Sequence, residues 1–261
     1  MSDTDPTVRV RLDARPKGTV AFVTVDNALK LNTFNTRLMQ RFVAEVASLA
    51  KRDDLRAVVL TGAGDKAFIG GADIRELASL AHPTDATRFI EHVHDCCRCL
   101  RDLPVPVIAR VNGYALGAGL EVMAACDVRV AASSAVFGMP EVRVGVPSVV
   151  EAALLPGLIG WGRTRRLLLL AENIGADEAL AWGLVDKVVP TAALDHAVDE
   201  WLHAIEAAGP NAIKIQKQLI REWETLPLDQ AVRAGVTAFA RAFESEEPRA
   251  MTNAFLNRPR R

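Results

Sequence analysis

The chain has 261 residues, a formal net charge of −1 and an apolar content of 50%. That length and apolar content suffice for one large domain with its own core, or for a domain with an appendage. The near-neutral charge gives no electrostatic reason to expect nucleic acid or an anionic membrane surface as a partner. Because the polar residues 1–6 form no secretory signal and no apolar run is long enough to span a membrane, we expect a cytoplasmic protein.

The first half of the chain alternates predicted strands and helices. In chain order, the apolar patterns predict strands at 8–12 and 19–25, a helix at 34–49 capped by Asn32 or Thr33, and a strand at 57–61. They then predict a helix at 84–103, a strand at 107–111, a helix at 120–125, and strands at 127–132 and 136–137. Such alternation is typical of an α/β core whose strands pair in parallel.

The character of the sequence changes after about residue 147. Apart from a short stretch at 187–190, the apolar patterns predict helices at 161–170, 177–183, 191–208, 210–224 and 228–245. The last two of these are amphipathic, with apolar residues along one face. The sequence therefore indicates a helical appendage on the α/β core.

A group of potential metal ligands lies at residues 92–99, which hold two histidines and three of the four cysteines. Cys97 shares helical spacing with Val93 and Leu100, which indicates that its side chain fills the core. No second pair of cysteines or histidines elsewhere in the sequence completes a tetrahedral site. We therefore predict no bound metal.

Two glycine-rich segments share one design. Residues 68–74 (Phe-Ile-Gly-Gly-Ala-Asp-Ile) and 115–121 (Ala-Leu-Gly-Ala-Gly-Leu-Glu) each lead from a strand into a helix. Glycines let the backbone turn sharply, and helix N-termini carry unpaired N–H groups. Two such ends aimed at one point would form an oxyanion hole, whereas either one alone is more simply a tight turn. Neither segment completes the three-glycine motif of a dinucleotide site.

Glu121 and Glu141 are the candidate acid–base residues. Each follows a turn containing glycine or proline within an otherwise apolar stretch. A single glutamate is usually solvated, but two carboxyl groups around one substrate could activate water and transfer a proton. Their pKa values would have to be tuned by burial and by neighbouring charges. The sequence has no Gly-x-Ser-x-Gly elbow, so a serine hydrolase has little support.

In these segments the chain resembles the enoyl-CoA hydratase/isomerase family, also called the crotonase family. The resemblance covers nearly the whole length, and its motifs lie at 31–33, 68–74, 111–121, 137–141, 181–189 and 245–255. Several motifs in the same order make it specific. It implies an α/β, crotonase-like spiral of β-β-α turns at 1–195 with the acyl-CoA site, and a C-terminal helical trimerisation region at 196–261. It also implies a homotrimer or a dimer of trimers.

The resemblance further implies the roles of the site residues. The amides of Ala72 and Ala118 would form the oxyanion hole for a thioester carbonyl. Glu121 would help to activate a water molecule, and Glu141 would deliver the α-proton. Coenzyme A enters as part of the substrate, and no metal or other cofactor is implied. The implied substrate-binding residues are Leu29, Lys30, Leu31, Gly71, Ala72, Asp73, Ile74, Arg75, Gly117 and Ala118.

The presence of both glutamates favours an enoyl-CoA hydratase acting on a 2-enoyl-CoA thioester. Relatives that only shift a double bond often keep the second acid and lose the first. An isomerase, a thioesterase or another thioester-enolate enzyme of the same fold is the alternative. A non-catalytic acyl-CoA-binding relative is a further alternative, although such a protein would be expected to lack one of the carboxyl groups.

One departure from the family pattern lies at residues 145–155. In place of a glycine-rich run, the chain has Val149, Val150 and Glu151. We expect the two valines to add bulk to the acyl pocket. Glu151 is a candidate to reach the site, but we favour its interpretation as an acid at the N-terminus of the following helix, where acids are favoured anyway.

Overall fold

The computed structural model describes residues 5–257, so four residues of the polar N-terminal segment and the last four residues lie outside it. The described strands are β1 (Thr7–Arg15), β2 (Gly18–Asp26), β3 (Leu55–Gly62), β4 (Ala67–Ile69), β5 (Val107–Val111), β6 (Tyr114–Leu116), β7 (Val128–Ala132), β8 (Val136–Gly138), β9 (Asn173–Gly175) and β10 (Lys187–Val189).

The described helices are α1 (Thr36–Leu49), α2 (Ile74–Ala78), α3 (Pro83–Asp102), α4 (Ala118–Ala124), α5 (Leu155–Leu170), α6 (Ala176–Trp182), α7 (Leu194–Ala207), α8 (Pro210–Trp223), α9 (Leu228–Ala242) and α10 (Glu247–Leu256). Short 3-10 helices lie at Ala28–Lys30, Glu141–Val144, Val150–Leu154 and Thr191–Ala193. Within residues 5–257, no helix is both long and apolar enough to cross a lipid bilayer.

The strands form two sheets. The larger sheet has the order β1-β2-β3-β5-β7-β10, and all its neighbours pair in parallel except β1 with β2. The smaller sheet has the order β4-β6-β8-β9, with β9 antiparallel to β8. The parallel pairing predicted from the alternation of elements is therefore confirmed.

One unit repeats along the core. A strand of the larger sheet is followed by a three-residue strand of the smaller sheet and then by a helix: β3-β4-α2, β5-β6-α4 and β7-β8-α5. This arrangement is the predicted spiral of β-β-α turns. The sequence did not show β4, β6 and β9 because three residues are too few to display a period of two.

Both faces of the larger sheet are covered. On one face, α1, α3 and α4 pack over the main apolar core, which includes Phe42, Leu60 and Leu100. On the other face, α7 packs against β2, β3, β5 and β7 through Leu194 and Val198. Strands that are buried on both faces are expected to be continuously apolar, and β3 is buried along almost its whole length. The predicted division between residues 195 and 196 falls within α7, which packs on the sheet.

The cysteine-rich segment lies on α3. Cys96 and Cys97 are fully buried in the apolar core, so the interpretation of Cys97 as a core residue is confirmed. Burial is also the main cause that raises the pKa of both thiols. Among the described residues, no group of three or more His, Cys, Asp or Glu side chains is arranged to hold a metal ion.

The predicted cap of the first helix is wrong. Phe34 is not helical, because its N–H donates to Gly71 O at 2.8 Å in a bridge with Ala72. Helix α1 therefore begins at Thr36, and its cap is Asn35, whose side chain accepts a hydrogen bond from Leu38 N at 2.8 Å. Neither Asn32 nor Thr33 caps a helix.

Asn32 instead ties three loops together. It is fully buried in the left-handed conformation, with φ of 55°, which asparagine tolerates better than most residues. Its side-chain Nδ2 donates to Ala63 O at 3.0 Å and to Ala67 O at 2.8 Å. Its Oδ1 accepts from Asn27 N at 2.9 Å. These bonds fix the loop that leads into β4.

We expect Asn32→Ala to lower the free energy of unfolding by about 3 to 5 kcal/mol, because it removes the hydrogen bonds to Ala63 O and from Asn27 N and replaces a residue suited to the left-handed region. Asn35→Ala is the control and should cost about 1 kcal/mol, the usual loss for an N-cap. Urea unfolding of both variants measures the difference. Equal losses in the two variants would contradict the role assigned to Asn32.

Candidate active site

A cavity of about 890 Å³ lies where the two glycine-rich segments meet α3 and the segment that follows β8. Both Glu121 and Glu141 line it, together with Ala72 and Ala118. This arrangement is consistent with the sequence prediction that two carboxyl groups and two glycine-rich turns meet at one site.

The smaller sheet brings these groups together. In the parallel pairs, Ile69 of β4 lies opposite Ala115 of β6, and Leu116 of β6 lies opposite Gly138 of β8. Because parallel strands end at the same edge of a sheet, the three segments that follow these strands emerge side by side. Those segments carry Ala72, Ala118 and Glu141.

The first turn needs its glycines for space and for backbone conformation. Gly71 has φ of +109°, and a Cβ atom built on it would lie 3.1 Å from Leu116 O of the second turn. Asp73 N donates to Phe34 O at 2.7 Å, while Gly71 O accepts from Phe34 N. The bridge thus uses the groups on either side of Ala72 and leaves the Ala72 N–H outside it. The Asp73 side chain caps α2 by accepting from Arg75 N at 2.8 Å.

The second turn is built around Gly117, whose φ of 51° and ψ of −125° suit glycine. Its N–H donates to Gly138 O at 2.9 Å, which holds the turn against β8. Ala118 is the first residue of α4, and the first amides of a helix have no partner within it. Two main-chain N–H groups on touching turns, Ala72 and Ala118, are thus available at one cavity.

Glu141 lies directly against the second turn. A Cβ atom built on Gly117 would lie only 2.3 Å from Glu141 Oε1, so the carboxyl group occupies the space that a side chain would need. The other oxygen, Oε2, accepts a hydrogen bond from Ser148 Oγ at 2.7 Å. The carboxyl group is therefore held against Gly117, the residue before Ala118.

Glu121 lies on the first turn of α4 and is only 3% exposed. Its Oε1 accepts a hydrogen bond from Ala152 N at 3.2 Å. Burial, and next the charge of Glu141, raise the pKa of Glu121 to about 8. A carboxyl group with such a pKa is a stronger base than an ordinary glutamate and carries a proton for much of the time near neutral pH.

Most of the predicted substrate-binding residues line the cavity. They are Lys30, Gly71, Ala72, Asp73, Ile74, Arg75, Gly117 and Ala118. Leu29 and Leu31 do not line it: Leu29 is 82% exposed, and Leu31 takes a left-handed conformation whose carbonyl accepts from Gly70 N at 2.8 Å. Apolar residues of α2, of the turn that follows it and of α3, to which the sequence patterns assigned no role in the site, form another wall: Leu77, Leu80, Phe89, Ile90 and Val93.

The structure of the divergent segment at 145–155 differs from the sequence prediction. Val149 lines the cavity, but Val150 packs against the main core, so only one of the two valines adds bulk there. Glu151 lies in the first turn of a helix, as predicted, but that helix is the 3-10 helix Val150–Leu154 and the side chain is buried, with 7% exposure. Ser148 and Ala152, which bind Glu141 and Glu121, gave no signal in the sequence because hydroxyl and backbone groups are not distinctive.

The chain is similar to known proteins over nearly its full length. The sequence profile described as enoyl-CoA hydratase/isomerase matches residues 15–260. The short-chain-enoyl-CoA hydratase of Clostridium acetobutylicum is 36% identical over 243 residues, which cover 93% of each sequence. The crotonyl-CoA hydratase of Syntrophomonas wolfei is 32% identical, and the match covers 92% of each sequence.

The fold is similar to that of solved structures as well. The crystal structure of an enoyl-CoA hydratase from Bacillus anthracis gives a TM-score of 0.88 at 29% identity, covering 94% of this chain and 95% of that one. An enoyl-CoA hydratase from Mycobacterium smegmatis gives a TM-score of 0.90 at 27% identity, covering 96% and 98% of the two chains. The predicted crotonase-like fold is therefore confirmed.

We expect Glu121→Gln to remove a pH-dependent destabilisation. Because the folded state raises the pKa of Glu121 from 4.5 to about 8, the folded chain holds a proton that the unfolded chain has lost within that window. The wild-type free energy of unfolding therefore falls as pH rises through the window, whereas glutamine does not titrate. Between pH 5 and pH 8, the stability of the variant relative to wild type should rise by about 2 to 4 kcal/mol.

Urea unfolding at the two pH values measures this change. Glu91→Gln is the control, since Glu91 lies on the exposed side of α3. A difference between Glu121→Gln and wild type that stays constant with pH would contradict the raised pKa of Glu121.

Proposed function

The chain belongs to the enoyl-CoA hydratase/isomerase family, and from that premise we propose that it is an enoyl-CoA hydratase, adding water across the double bond of a 2-enoyl-CoA thioester. The observation that carries the proposal is that Glu121 and Glu141 line one cavity with the two turns of Ala72 and Ala118. The names of the relatives from Clostridium acetobutylicum and Syntrophomonas wolfei support the same reaction.

In this proposal the amides of Ala72 and Ala118 bind the thioester carbonyl oxygen. Water addition at the β-carbon moves negative charge onto that oxygen, and two preorganised N–H donors stabilise the resulting enolate. Removing one donor from such a site typically costs about 3 to 4 kcal/mol in the transition state. Because both donors belong to the backbone, the proposal requires the turn geometry and not particular side chains at 72 and 118.

The two glutamates then move the protons. Glu121 accepts a proton from water as the water oxygen bonds to the β-carbon, and Glu141 gives a proton to the α-carbon as the enolate collapses. The proton gained by Glu121 replaces the one lost by Glu141, so the pair carries one proton before and after turnover. The raised pKa favours that proton on Glu121 in the empty site, so the proposed roles require it to pass to Glu141 once substrate and water are bound.

The lining of the cavity suits the two ends of an acyl-CoA. The apolar wall from α2 and α3, with Leu77, Phe89 and Val93, would hold the acyl chain. Lys30 and Arg75 also line the cavity and carry the positive charge that would bind the phosphates of coenzyme A. Coenzyme A thus enters as part of the substrate.

The proposed reaction needs no metal or redox cofactor, because backbone amides polarise the carbonyl and carboxyl groups transfer both protons. No nucleic acid or membrane partner is proposed, and a cytoplasmic location stays a prediction from the sequence.

We also propose that the helical C-terminal region joins copies of the chain into a trimer or a dimer of trimers. One face of α9 presents an apolar stripe to solvent, formed by Leu228, Val232, Val236, Phe239 and Phe243. Apolar patches of this kind on a folded chain usually mark a protein interface. The predicted region at 196–261 contains this stripe.

A panel of 2-enoyl-CoA thioesters, followed by the absorbance of the conjugated thioester, tests the reaction. We expect wild type to hydrate at least one member, and Glu121→Gln and Glu141→Gln each to lower kcat about 100- to 10,000-fold, the usual contribution of a positioned acid or base. Both variants should still bind CoA thioesters, because neither carboxyl group holds the coenzyme. Thr237→Glu, an exposed change on α9, is the activity control.

Full activity of Glu141→Gln would exclude Glu141 as the proton donor. Migration of a double bond without hydration would favour an isomerase, and release of free CoA would favour a thioesterase. Binding without any reaction across the panel would favour a non-catalytic relative.

We expect the double variant Val236→Glu and Phe239→Glu to dissociate the assembly, because burying two added charges in an apolar interface is unfavourable. Light scattering on the purified chain measures the mass, and dissociation to monomers at micromolar concentration is the expected result. Thr237→Glu is the matched control, because residue 237 lies on α9 away from the stripe. An unchanged mass of the double variant would exclude the stripe as an interface.

A further inference from the structure

A third carboxyl group lies behind the two glutamates of the cavity. Glu151 is 7% exposed and does not line the cavity, yet the next residue, Ala152, donates its N–H to Glu121 Oε1 at 3.2 Å. The 3-10 helix Val150–Leu154 thus carries both the hydrogen-bond donor for Glu121 and a second buried carboxyl group.

The backbone of this segment is arranged to direct Glu151 inward. Val150 has φ of 38°, a left-handed conformation that a β-branched residue rarely adopts. Its side chain packs against the main core, while Val149 before it faces the cavity. Backbone strain of this kind persists only where the surroundings over-determine it, and it is concentrated at functional sites.

The side-chain partners of Glu151 come from α3. Glu151 Oε1 lies 2.9 Å from Nδ1 of His94, whose side chain is 47% exposed. The thiol of Cys97, also on α3, is a second side-chain partner of Glu151, and Glu151 Oε2 is fully buried. A carboxyl group buried against an imidazole and a thiol, which is a weak donor, is costly to the fold, so its retention calls for a reason beyond packing.

Few titratable groups surround Glu121 and Glu151. Those that act electrostatically on Glu121 are Glu141 and Glu151, and the thiol of Cys97 faces both Glu121 and Glu151 from α3. After burial, the charge of Glu151 is among the causes that raise the pKa of Cys96 on α3. Arg143 lines the cavity beside Glu141, while β4, β6 and the first two turns of α5 contribute no charged side chain. Apart from the thiols, Glu151 and its partner His94 are therefore the titratable side chains behind Glu121.

We propose that Glu151, oriented by His94, is a positioning residue that acts through Glu121. The Ala152 N–H fixes where the Glu121 carboxyl group points, and the negative charge of Glu151 makes Glu121 a stronger proton acceptor than it would be beside Glu141 alone. Glu151 touches neither water nor substrate in this role. The inference rests on the proposed hydratase function, because the benefit is a stronger base for taking a proton from water.

The charge of Glu151 changes the pKa of Glu121 in the direction that the proposal requires. Its charge is among the causes that raise the pKa of Glu121, after burial and Glu141. A hydratase needs one protonated and one ionised carboxyl group, so the alkaline limb of its pH profile reports loss of the shared proton. Without the charge of Glu151, that limb should move to lower pH.

The test compares wild type, Glu151→Gln and the control Glu91→Gln, which removes a carboxylate from the exposed side of α3. We expect Glu151→Gln to move the alkaline limb of kcat/KM down by about 0.5 to 1 pH unit, and to lower kcat about three- to tenfold with KM within about twofold of wild type. Glu91→Gln should leave the profile unchanged. An unshifted limb, or a lower kcat at an unchanged limb, would overturn the proposal.

A second readout needs no turnover. An infrared band of a protonated carboxyl group that is lost in Glu121→Gln belongs to Glu121, so this band follows the titration of Glu121 directly. We expect the midpoint of that titration to fall in Glu151→Gln by the same amount as the alkaline limb of kcat/KM. If wild type hydrates no thioester in the panel, the proposed function fails, yet this midpoint still decides the inference. A midpoint equal to that of wild type would reject it.

His94→Leu covers the case in which Glu151→Gln does not fold. His94 is half exposed, and its loss removes the side-chain partner that holds the Glu151 carboxyl group in place. We expect a smaller shift of the Glu121 midpoint in the same direction, and restoration by His94→Asn, whose amide can stand in place of Nδ1. A shift in the opposite direction, or none, would contradict the orienting role of His94.

Discussion

The close approach of two backbone turns is the constraint on which the proposed chemistry depends. Gly71 lies against the carbonyl of Leu116, and Gly117 lies against the carboxyl group of Glu141, so a side chain at either glycine would occupy space that is already filled. Both glycines also have positive φ values, which other residues rarely adopt. This contact brings the amides of Ala72 and Ala118 to one cavity, and the short parallel strands β4, β6 and β8 set the alignment.

A second constraint is electrostatic. The fold buries Glu121 beside Glu141 and places Glu151 behind it, and burial together with these two neighbouring charges raises the pKa of Glu121. Arrangements of this kind lower stability and are tolerated where a reaction needs a base stronger than an exposed glutamate. The tightly packed helices and sheets around the cavity supply the stability that permits it. The same burial explains why water-excluded backbone amides would stabilise an enolate strongly there.

The sequence could predict elements whose apolar patterns are long, and it failed where structure is short or depends on distant contacts. Helix α3 and strand β5 were predicted almost to the residue, because each carries an unbroken pattern of apolar positions. The cap of α1 was assigned to Asn32 or Thr33, because nothing local reveals that Phe34 pairs with Ala72. Glu151 was correctly predicted in the first turn of a helix, but its burial was not predicted, because that burial depends on the left-handed Val150 and on His94, which lies 57 residues away in the chain.

The sequence by itself determined the α/β class, the helical C-terminal region and the family resemblance, and it identified Glu121 and Glu141 as candidate acid–base residues. These follow from local periodicity and from motifs with fixed spacing. Only the tertiary structure decided that Ser148 holds Glu141, that Ala152 holds Glu121, and that Leu29 and Leu31 lie outside the cavity. Hydroxyl groups, backbone amides and exposed leucines carry no signature of their partners. Their roles arise when parallel strand pairing brings segments far apart in the chain to one edge of a sheet.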